Sequence, residues 1–299
     1  MQSDLQFPLT RSLIIWISSI LSSLYVLGCS APLPTIEMRQ QTATSTAATY
    51  HWHPFRIHTD NFDLIAYGPD QINSKTLHIY LEGDGHAWEN RETPSMDPTP
   101  IDPISLRLAL SDPIKSSAYL GRPCQYIQAS KKECSNSYWT NARFSQAVIG
   151  STNQAIDQIK ARYGAKHLVL IGYSGGGAVA LLSATQRTDV IKVVTIAGNL
   201  DTEAWTEYHG LSPLNRSLNP ANYAEILRYI PQTHWVGSKD QIMPPEIASS
   251  YLQHFPQDPQ RPIIRMMPFS HTCCWVQAWP QLAPKDLPNN LDNSAPHPY

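Results

Sequence analysis

The sequence carries little charge and almost no excess of either sign. Charged residues make up 15% of its 299 positions, the formal net charge is −2, and the isoelectric point is about 6.6. A protein that binds nucleic acid needs a basic surface to neutralise phosphates, so this composition gives no electrostatic basis for a nucleic-acid partner. No repeat of fixed period is present either, which argues against a solenoid or a propeller.

Motifs for bound cofactors and metals are also missing. The run Gly175-Gly176-Gly177 follows a serine and lacks the G-x-G-x-x-G spacing that binds dinucleotides. The five cysteines form no Cys-x-x-Cys pair, and the histidines show no zinc-ligand spacing. We therefore predict a protein that uses no cofactor and no metal ion.

An apolar run occupies residues 13–27 behind Arg11 and ends in Val26-Leu27-Gly28-Cys29. Such a stretch is typical of a secretory signal peptide, and its end resembles the bacterial lipobox, in which the cysteine is lipidated. We predict a lipoprotein signal peptide over residues 1–28 and a lipid on Cys29. An uncleaved membrane anchor or an unlipidated secreted protein is the alternative, although the run is shorter than the roughly 20 residues that span a bilayer.

The predicted lipid anchor sets the expected location and domain boundaries. It would hold the protein on a membrane of the bacterial cell envelope. Ser30 follows the cysteine, and by resemblance to lipoprotein sorting in Gram-negative bacteria this favours the outer membrane. Residues 29–50 are rich in Thr, Ala, Ser and Gln and predict a flexible tether. Residues 51–299 then form a single domain, and the sequence leaves the oligomeric state open.

The four remaining cysteines lie in two pairs along the sequence. An exported chain meets an oxidising compartment, where disulfides form. Cys124 and Cys134 bracket a short loop and are the natural pair. The adjacent Cys273 and Cys274 could then bridge each other or stay reduced. Three pairings of the four cysteines are formally possible, and the sequence does not choose among them.

Strand and helix patterns alternate from about residue 75 onward. Residues 167–173 form an uninterrupted apolar run, which is typical of a strand buried on both faces of a parallel sheet. The alternation predicts one α/β domain with a mostly parallel sheet and helices on both faces. Further strands are predicted over 62–67, 75–81, 125–128, 190–197, 233–237 and 262–267. Helices are predicted over 104–114, 144–163, 175–184, 244–254 and 275–282.

Two segments have no place in the predicted sheet. Residues 86–103 and 200–231 both follow predicted strand ends, on the side where parallel sheets hold their ligands. We predict that they form rim loops or a small cap.

The segment Gly172-Tyr173-Ser174-Gly175-Gly176 fits the pattern G-x-S-x-G. In this motif a tight turn from a strand into a helix exposes the serine hydroxyl, and the glycines make the turn possible. The flanking sequence matches, since an apolar strand precedes Ser174 and an alanine-rich helix follows it. We predict that Ser174 is a nucleophile; a glycine-rich turn used for packing or phosphate binding is the alternative.

A serine nucleophile needs a base to accept its proton and an acid to orient that base. In the architecture of this motif the three groups follow in the order serine, acid, histidine. Asp240 follows the predicted strand 233–237, and His271 follows the last predicted strand. We predict that His271 is the base and that Asp240 fixes its tautomer. Asp201, after the preceding strand, is the alternative acid.

The GYSGG, GSKD and PFSH segments, in this order, resemble the α/β-hydrolase superfamily. The resemblance covers roughly residues 55–285. It implies the α/β-hydrolase fold, with Ser174, Asp240 and His271 as the catalytic residues.

The segment Leu81-Glu82-Gly83-Asp84-Gly85 stands where many members of that superfamily carry His-Gly-Gly. By position, the backbone N–H groups of Asp84 and Gly175 would form the oxyanion hole, with Gly85 as a substitute for Asp84. A carboxylate beside a developing oxyanion is unfavourable unless it turns away or is paired. We therefore predict that Glu82 and Asp84 bond neighbouring loop N–H groups, with direct catalysis or metal binding as alternatives. With the adjoining HAW and DPTP, this segment is similar to a group of poorly characterised bacterial lipoproteins.

Several aromatic and histidine residues lie near the predicted site in the sequence. Tyr173, His86 and Trp88 are possible substrate-lining residues, as is Trp205, and ordinary loop packing is the alternative for each. His234 begins a predicted strand and is expected to be structural, as most lone histidines are.

These residues predict a lipid-anchored serine hydrolase that cleaves a carboxylic ester through an acyl-enzyme on Ser174. Its substrate would be a small-molecule or lipid-like ester. The same fold hosts thioesterases, peptidases and polyester depolymerases, so those reactions remain alternatives. A non-catalytic envelope binding protein on the same scaffold is a further alternative, which an intact set of three catalytic groups disfavours.

Overall fold

A mixed β-sheet forms the centre of the fold. The computed structural model describes residues 33–127, 134–257 and 261–288. The strands are β1 (His53–His58), β2 (Asp63–Gly68), β3 (Thr76–Leu81), β4 (Ser117–Leu120), β5 (His167–Tyr173), β6 (Val190–Ile196), β7 (Gln232–Gly237) and β8 (Ile263–Met267). Their order across the sheet is β1-β2-β4-β3-β5-β6-β7-β8. β1 and β2 are antiparallel to their neighbours, and the strands from β4 across to β8 pair in parallel.

Helices cover both faces of this sheet. They are α1 (Ile36–Ala48), α2 (Ile104–Leu110), α3 (Gln146–Tyr163), α4 (Gly175–Ala184), α5 (Thr202–Tyr208), α6 (Ala224–Leu227), α7 (Pro245–Gln253) and α8 (Trp275–Leu282). Short 3₁₀ helices occupy Asn136–Trp139, Pro220–Tyr223 and Ala283–Lys285.

The central strand β5 shows why both faces of the sheet must be covered. Leu168 and Leu170 belong to one hydrophobic cluster, and Val169 and Ile171 belong to the other. All four side chains are fully buried, as an uninterrupted apolar strand requires. Helices α3, α4 and α7 pack in the first cluster, and α1, α2 and α8 pack in the second. The predicted, mostly parallel sheet with helices on both faces is confirmed.

The strand predicted over residues 125–128 is wrong. The strand in this region is β4 (Ser117–Leu120), in which all four residues are buried. Cys124 and Tyr126 have positive φ angles of 71° and 61°, and a strand cannot contain such residues. Gln128 lies outside the described residues.

Two further elements differ from the sequence prediction. The sequence does not predict β1 (His53–His58), because histidine, proline and arginine make up most of it and its apolar pattern is weak; only Ile57 in it is buried. α2 ends at Leu110, four residues earlier than predicted. Pro113 explains the early end, since proline lacks a backbone N–H and disfavours helical geometry in the residue before it.

The prediction of a flexible tether over residues 29–50 is corrected where the structure describes this segment. Helix α1 begins after Thr35, whose side chain accepts a hydrogen bond from the Met38 N–H. Ala43 and Ala47 are fully buried in the second hydrophobic cluster. The Arg39 guanidinium donates to the Thr99 carbonyl oxygen at 2.7 Å, so the helix is tied to the loop after β3. The local composition is polar, but burial of the two alanines favours a docked helix.

The predicted signal peptide over residues 1–28 and the lipidated Cys29 lie outside the described residues. Helices within the described ranges are all too short or too polar to cross a membrane.

The two predicted rim segments supply no strand to the central sheet in the described part of the chain. Residues 86–103 form a loop with a single bridge between Trp88 and Pro94. Residues 200–231 contain α5, α6 and a 3₁₀ turn. Both segments follow carboxyl ends of parallel strands, and they therefore lie at the rim that carries Ser174.

Two disulfides are present among the described residues. One joins Cys124 to Cys134, the pair expected from the sequence. The other joins the adjacent Cys273 and Cys274, for which the sequence left a reduced pair open.

Replacement of Ala43 by glutamate tests whether α1 is docked. The buried site has no room for a charged side chain, so the helix should leave the domain. Trypsin should then cut after Arg39 at least about tenfold faster than in the wild-type protein, as measured by limited proteolysis. Gln41→Glu, at an exposed position of the same helix, is the control and should cleave at the wild-type rate. Equal cleavage of all three proteins would contradict a docked α1.

Candidate active site

Ser174 lies at a sharp turn between β5 and α4. Its φ of 52° and ψ of −124° are unusual for a residue with a side chain. The turn depends on close backbone approach: a Cβ on Gly172 would collide with the Gly176 carbonyl, and a Cβ on Gly176 would collide with the Leu81 carbonyl. The glycines of the motif therefore let the turn pack against the end of β3 and hold the hydroxyl at the rim.

The structure brings Ser174, His271 and Asp240 together. His271 Nε2 lies 3.0 Å from Ser174 Oγ, and His271 Nδ1 lies 2.8 Å from Asp240 Oδ2. Asp240 Oδ1 accepts hydrogen bonds from the Ile242 and Met243 N–H groups, each at 2.8 Å, so its carboxylate is held in one orientation. This arrangement suits an imidazole that carries its proton on Nδ1 and offers Nε2 to the serine hydroxyl. Ser174 is only 8% exposed.

The alternative acid, Asp201, bonds to other groups. Its Oδ1 accepts from the Ala204 N–H at 3.2 Å, which caps α5, and from Asn219 Nδ2 at 3.0 Å. Its Oδ2 accepts from the Ser250 hydroxyl at 2.7 Å. Asp201 thus joins three segments beside the site, whereas Asp240 is the carboxylate that contacts His271.

Tyr173 differs in its surroundings from a residue that lines an open pocket. Its hydroxyl donates to the His271 carbonyl oxygen at 3.0 Å, and its ring centroid lies 5.3 Å from that of His271. The side chain is buried, and burial raises the pKa of the Tyr173 hydroxyl. Tyr173 therefore supports the loop that carries His271.

The other predicted lining residues lie on the rim. His86 Nε2 lies 3.2 Å from Glu89 Oε2, and Trp88, on the same loop, is 38% exposed. The Trp205 indole N–H donates to the Ile242 carbonyl oxygen at 2.8 Å, which braces the loop of Asp240.

His234, which the sequence predicts to be structural, is fully buried. Its Nδ1 lies 2.8 Å from Thr195 Oγ1, and burial lowers the pKa of His234 to about 3.

The loop after β3 packs directly against the serine turn. A Cβ on Gly83 would lie 3.3 Å from Ser174 Cβ, and a Cβ on Gly175 would collide with the Asp84 carboxylate. Within the described residues, neither the Asp84 N–H nor the Gly175 N–H donates to another protein atom. Both N–H groups therefore belong to segments that lie against Ser174, and neither has an acceptor among the described residues.

Glu82 holds this loop in the way that the sequence predicts. Its Oε1 accepts from the Gly83 N–H at 2.9 Å, and its Oε2 accepts from the Tyr119 hydroxyl at 3.0 Å. Burial raises the pKa of Glu82 to about 7, with these hydrogen bonds acting against the rise. Glu82 is therefore a buried acid that changes charge near neutral pH.

For Asp84, the predicted bond to loop N–H groups is wrong. Its carboxylate instead pairs with two arginines: Oδ1 with Arg122 Nη1 at 3.2 Å and Oδ2 with Arg143 Nη1 at 2.6 Å. Gln125 adds a further contact, because its Nε2 donates to the Gly83 carbonyl oxygen at 3.0 Å. None of these partners belongs to a recognisable motif, and no sequence signal could have found them.

A metal site is not evident in the described part of the chain. No group of three or more His, Cys, Asp or Glu side chains there is arranged to hold a metal ion.

Solved structures of similar fold include enzymes that act on esters. An esterase of Pyrococcus furiosus, Pf2001, is similar with a TM-score of 0.58 at 14% identity, over 81% of this chain and 91% of that chain. Est1E from Butyrivibrio proteoclasticus has a TM-score of 0.52 at 13% identity, over 78% and 98% of the two chains. A membrane phospholipase A, described as a bacterial virulence factor, has a TM-score of 0.51 at 15% identity, over 83% and 89%. No protein-family model and no curated protein sequence matches the chain.

These likenesses and the strand order establish the α/β-hydrolase fold. At such low sequence identity they show the fold alone, since one fold hosts many activities.

The raised pKa of Glu82 predicts how stability depends on pH. The folded state holds the Glu82 proton up to about pH 7, whereas the unfolded chain releases it near pH 4.5. Keeping Glu82 protonated in the folded state therefore costs stability progressively as pH rises from 4.5 to 7. Glu82→Gln removes that cost. The free energy of unfolding of the variant minus that of wild type should therefore be about 2 to 3 kcal/mol larger at pH 8 than at pH 5.

Urea unfolding of wild type and Glu82→Gln at the two pH values measures this change. Glu92→Gln, at an exposed glutamate on the rim loop, is the control. Its free energy of unfolding should differ from that of wild type by the same amount at both pH values. If the free energy of unfolding of Glu82→Gln differs from that of wild type by the same amount at both pH values, the pKa of Glu82 is not raised.

Proposed function

We propose that the protein is a serine hydrolase that cleaves carboxylic esters through an acyl-enzyme on Ser174. The observation that carries this proposal is the hydrogen-bonded chain from the Ser174 hydroxyl through His271 to Asp240. A hydroxyl is a weak nucleophile at neutral pH, and this arrangement supplies the base that it lacks. The names of Pf2001 and Est1E, both esterases, support the choice of an ester among the bonds that this fold can cleave.

In the first half of the reaction, Ser174 Oγ attacks the ester carbonyl carbon and its proton passes to His271 Nε2. The 3.0 Å separation of these atoms permits direct transfer. The imidazolium that forms is stabilised by the Asp240 carboxylate, 2.8 Å from Nδ1. His271 then gives the proton to the leaving alkoxide as the carbon–oxygen bond breaks, and the acyl group stays on Ser174.

In the second half, water replaces the alcohol. His271 takes a proton from a water molecule as its oxygen attacks the acyl carbon. The bond to Ser174 Oγ then breaks, and His271 returns the proton to that oxygen. The products are the free serine and a carboxylic acid, so the enzyme returns to its starting state.

The carbonyl oxygen becomes negatively charged in both tetrahedral intermediates. We assign the backbone N–H groups of Gly175 and Asp84 as the donors to this oxyanion. The approach of the Gly83–Asp84 segment to Ser174 and Gly175 supports this assignment. One such donor is worth roughly 100- to 1,000-fold in kcat in related chemistry.

The location is proposed on sequence grounds. The apolar run over residues 13–27 and the cysteine that follows it support a lipid on Cys29 and attachment to a membrane of the bacterial envelope. A small-molecule or lipid-like ester at that membrane is the proposed substrate. Esters of nitrophenol with increasing acyl length would measure the preferred chain length.

Covalent labelling tests the nucleophile. A fluorophosphonate reagent should label the wild-type protein, and Ser174→Ala should abolish labelling and lower ester hydrolysis by roughly 10,000-fold or more. Ser249→Ala, at an exposed serine of α7, is the control and should label and hydrolyse as the wild type does. Folded wild-type protein that neither labels nor hydrolyses any ester would support the binding-protein alternative instead.

A pair of aspartate variants tests which carboxylate serves His271. Asp240→Asn should lower kcat by about 1,000- to 10,000-fold, because the amide favours the wrong imidazole tautomer. Asp201→Asn should keep kcat within about threefold and lower the free energy of unfolding by about 1 to 2 kcal/mol, because the amide nitrogen that replaces Oδ2 cannot accept the hydrogen bond of the Ser250 hydroxyl. The reverse pattern of kcat values would assign the acid to Asp201.

A further inference from the structure

Asp84 carries its carboxylate between two guanidinium groups. Arg143 Nη1 lies 2.6 Å from Oδ2, and Arg122 Nη1 lies 3.2 Å from Oδ1. Both arginine side chains are buried, and the Asp84 side chain is 15% exposed. Charged hydrogen bonds in such poorly solvated surroundings are stronger and more directional than those at a surface.

The two arginines are themselves held by backbone oxygens. The Arg122 guanidinium also donates to the Arg143 carbonyl oxygen, and Arg143 Nε donates to the Thr140 carbonyl oxygen at 2.6 Å. Arg122 follows β4 and Arg143 precedes α3. The Asp84 side chain is thus joined to two other segments of the rim, and this restrains the backbone of its own loop.

The same carboxylate contacts the second proposed oxyanion donor. A Cβ atom on Gly175 would collide with Asp84 Oδ1, so the carboxylate lies directly against the Gly175 backbone. Any movement of the Asp84 side chain would therefore change the space around both N–H groups.

The charges explain why an acid is tolerated at this position. An uncompensated carboxylate beside a developing oxyanion would raise the energy of the transition state. Two guanidinium groups, which stay protonated in proteins, more than balance a single carboxylate. The pairing also turns the carboxylate oxygens towards the arginines.

We propose that Asp84, Arg122 and Arg143 form a unit that positions the oxyanion hole, with the two arginines acting through the Asp84 side chain. This inference rests on the proposed function, because it assumes a reaction on Ser174 that develops an oxyanion. Asp84 is the donor through its backbone N–H, and its side chain and the arginines are positioning groups.

Asp84→Asn tests the unit directly. The amide keeps the size of the side chain but loses the negative charge and one acceptor oxygen, so it cannot keep both arginines in their present positions, where each bonds a different oxygen. We expect kcat for ester hydrolysis to fall about 10- to 100-fold with KM within about threefold, because a displaced donor loses part of its effect in the transition state. The affinity of phenylboronic acid, whose serine adduct presents a tetrahedral oxygen to the donors, should fall by a similar factor.

Asp189→Asn is the matched control. Asp189 also accepts from two cationic side chains, Arg187 and Lys160, and its side chain is 18% exposed. It precedes β6, at the rim of the sheet opposite Ser174. The control should leave kcat and the boronate affinity within about twofold of wild type, although it also removes a charged pair.

Arg143→Lys provides a second variant in case Asp84→Asn does not fold. It keeps the positive charge but loses the planar fork that bonds both Asp84 and the Thr140 carbonyl. We expect kcat and boronate affinity to fall together, by a smaller factor than in Asp84→Asn.

Wild-type kcat and boronate affinity in both variants would overturn the inference. A rise in kcat for Asp84→Asn would also overturn it, since the carboxylate would then only oppose the oxyanion. In either case, the proposed function is still supported if the wild-type protein hydrolyses esters and Ser174→Ala does not. A wild-type protein without labelling or hydrolysis would overturn both.

Discussion

The sharp turn at Ser174 is the constraint on which the rest of the site depends. The residue adopts a φ of 52°, and the turn closes only because Gly172 and Gly176 leave room for neighbouring carbonyl oxygens. Such a conformation costs free energy, which the buried strand β5 and helix α4 on either side supply through packing. In return, the hydroxyl stands at the rim beside His271, and Gly175, the first residue of α4, lies against the loop after β3.

The parallel sheet explains how groups so far apart in the chain meet at this turn. Asp240 follows β7, His271 follows β8, and Asp84 follows β3, which are all strands that point the same way. Loops at the carboxyl ends of parallel strands converge on one rim. The α/β-hydrolase fold therefore needs only short segments after each strand to assemble the proposed nucleophile, base, acid and oxyanion donors.

Three acids around the site interact with their surroundings in three different ways. Glu82 accepts hydrogen bonds from Gly83 and Tyr119 and has its pKa raised to about 7 by burial. Asp84 is balanced by two arginines, and Asp201 caps α5. In each case the carboxylate fixes a loop near Ser174 and remains separate from the contact between Asp240 and His271. Unpaired, each would cost stability, and Asp84 would also oppose the proposed oxyanion.

Local features of the sequence determined the fold class and the Ser174 turn, because strand periodicity, helix composition and turn glycines act between neighbouring residues. Chain order then pointed to Asp240 and His271 as candidates. Contacts between distant segments are needed to show that Asp240, and not Asp201, contacts His271, that α1 is docked, and that Asp84 pairs with arginines 38 and 59 positions away. Those outcomes depend on burial and on contacts between distant segments, which no short pattern of residues encodes.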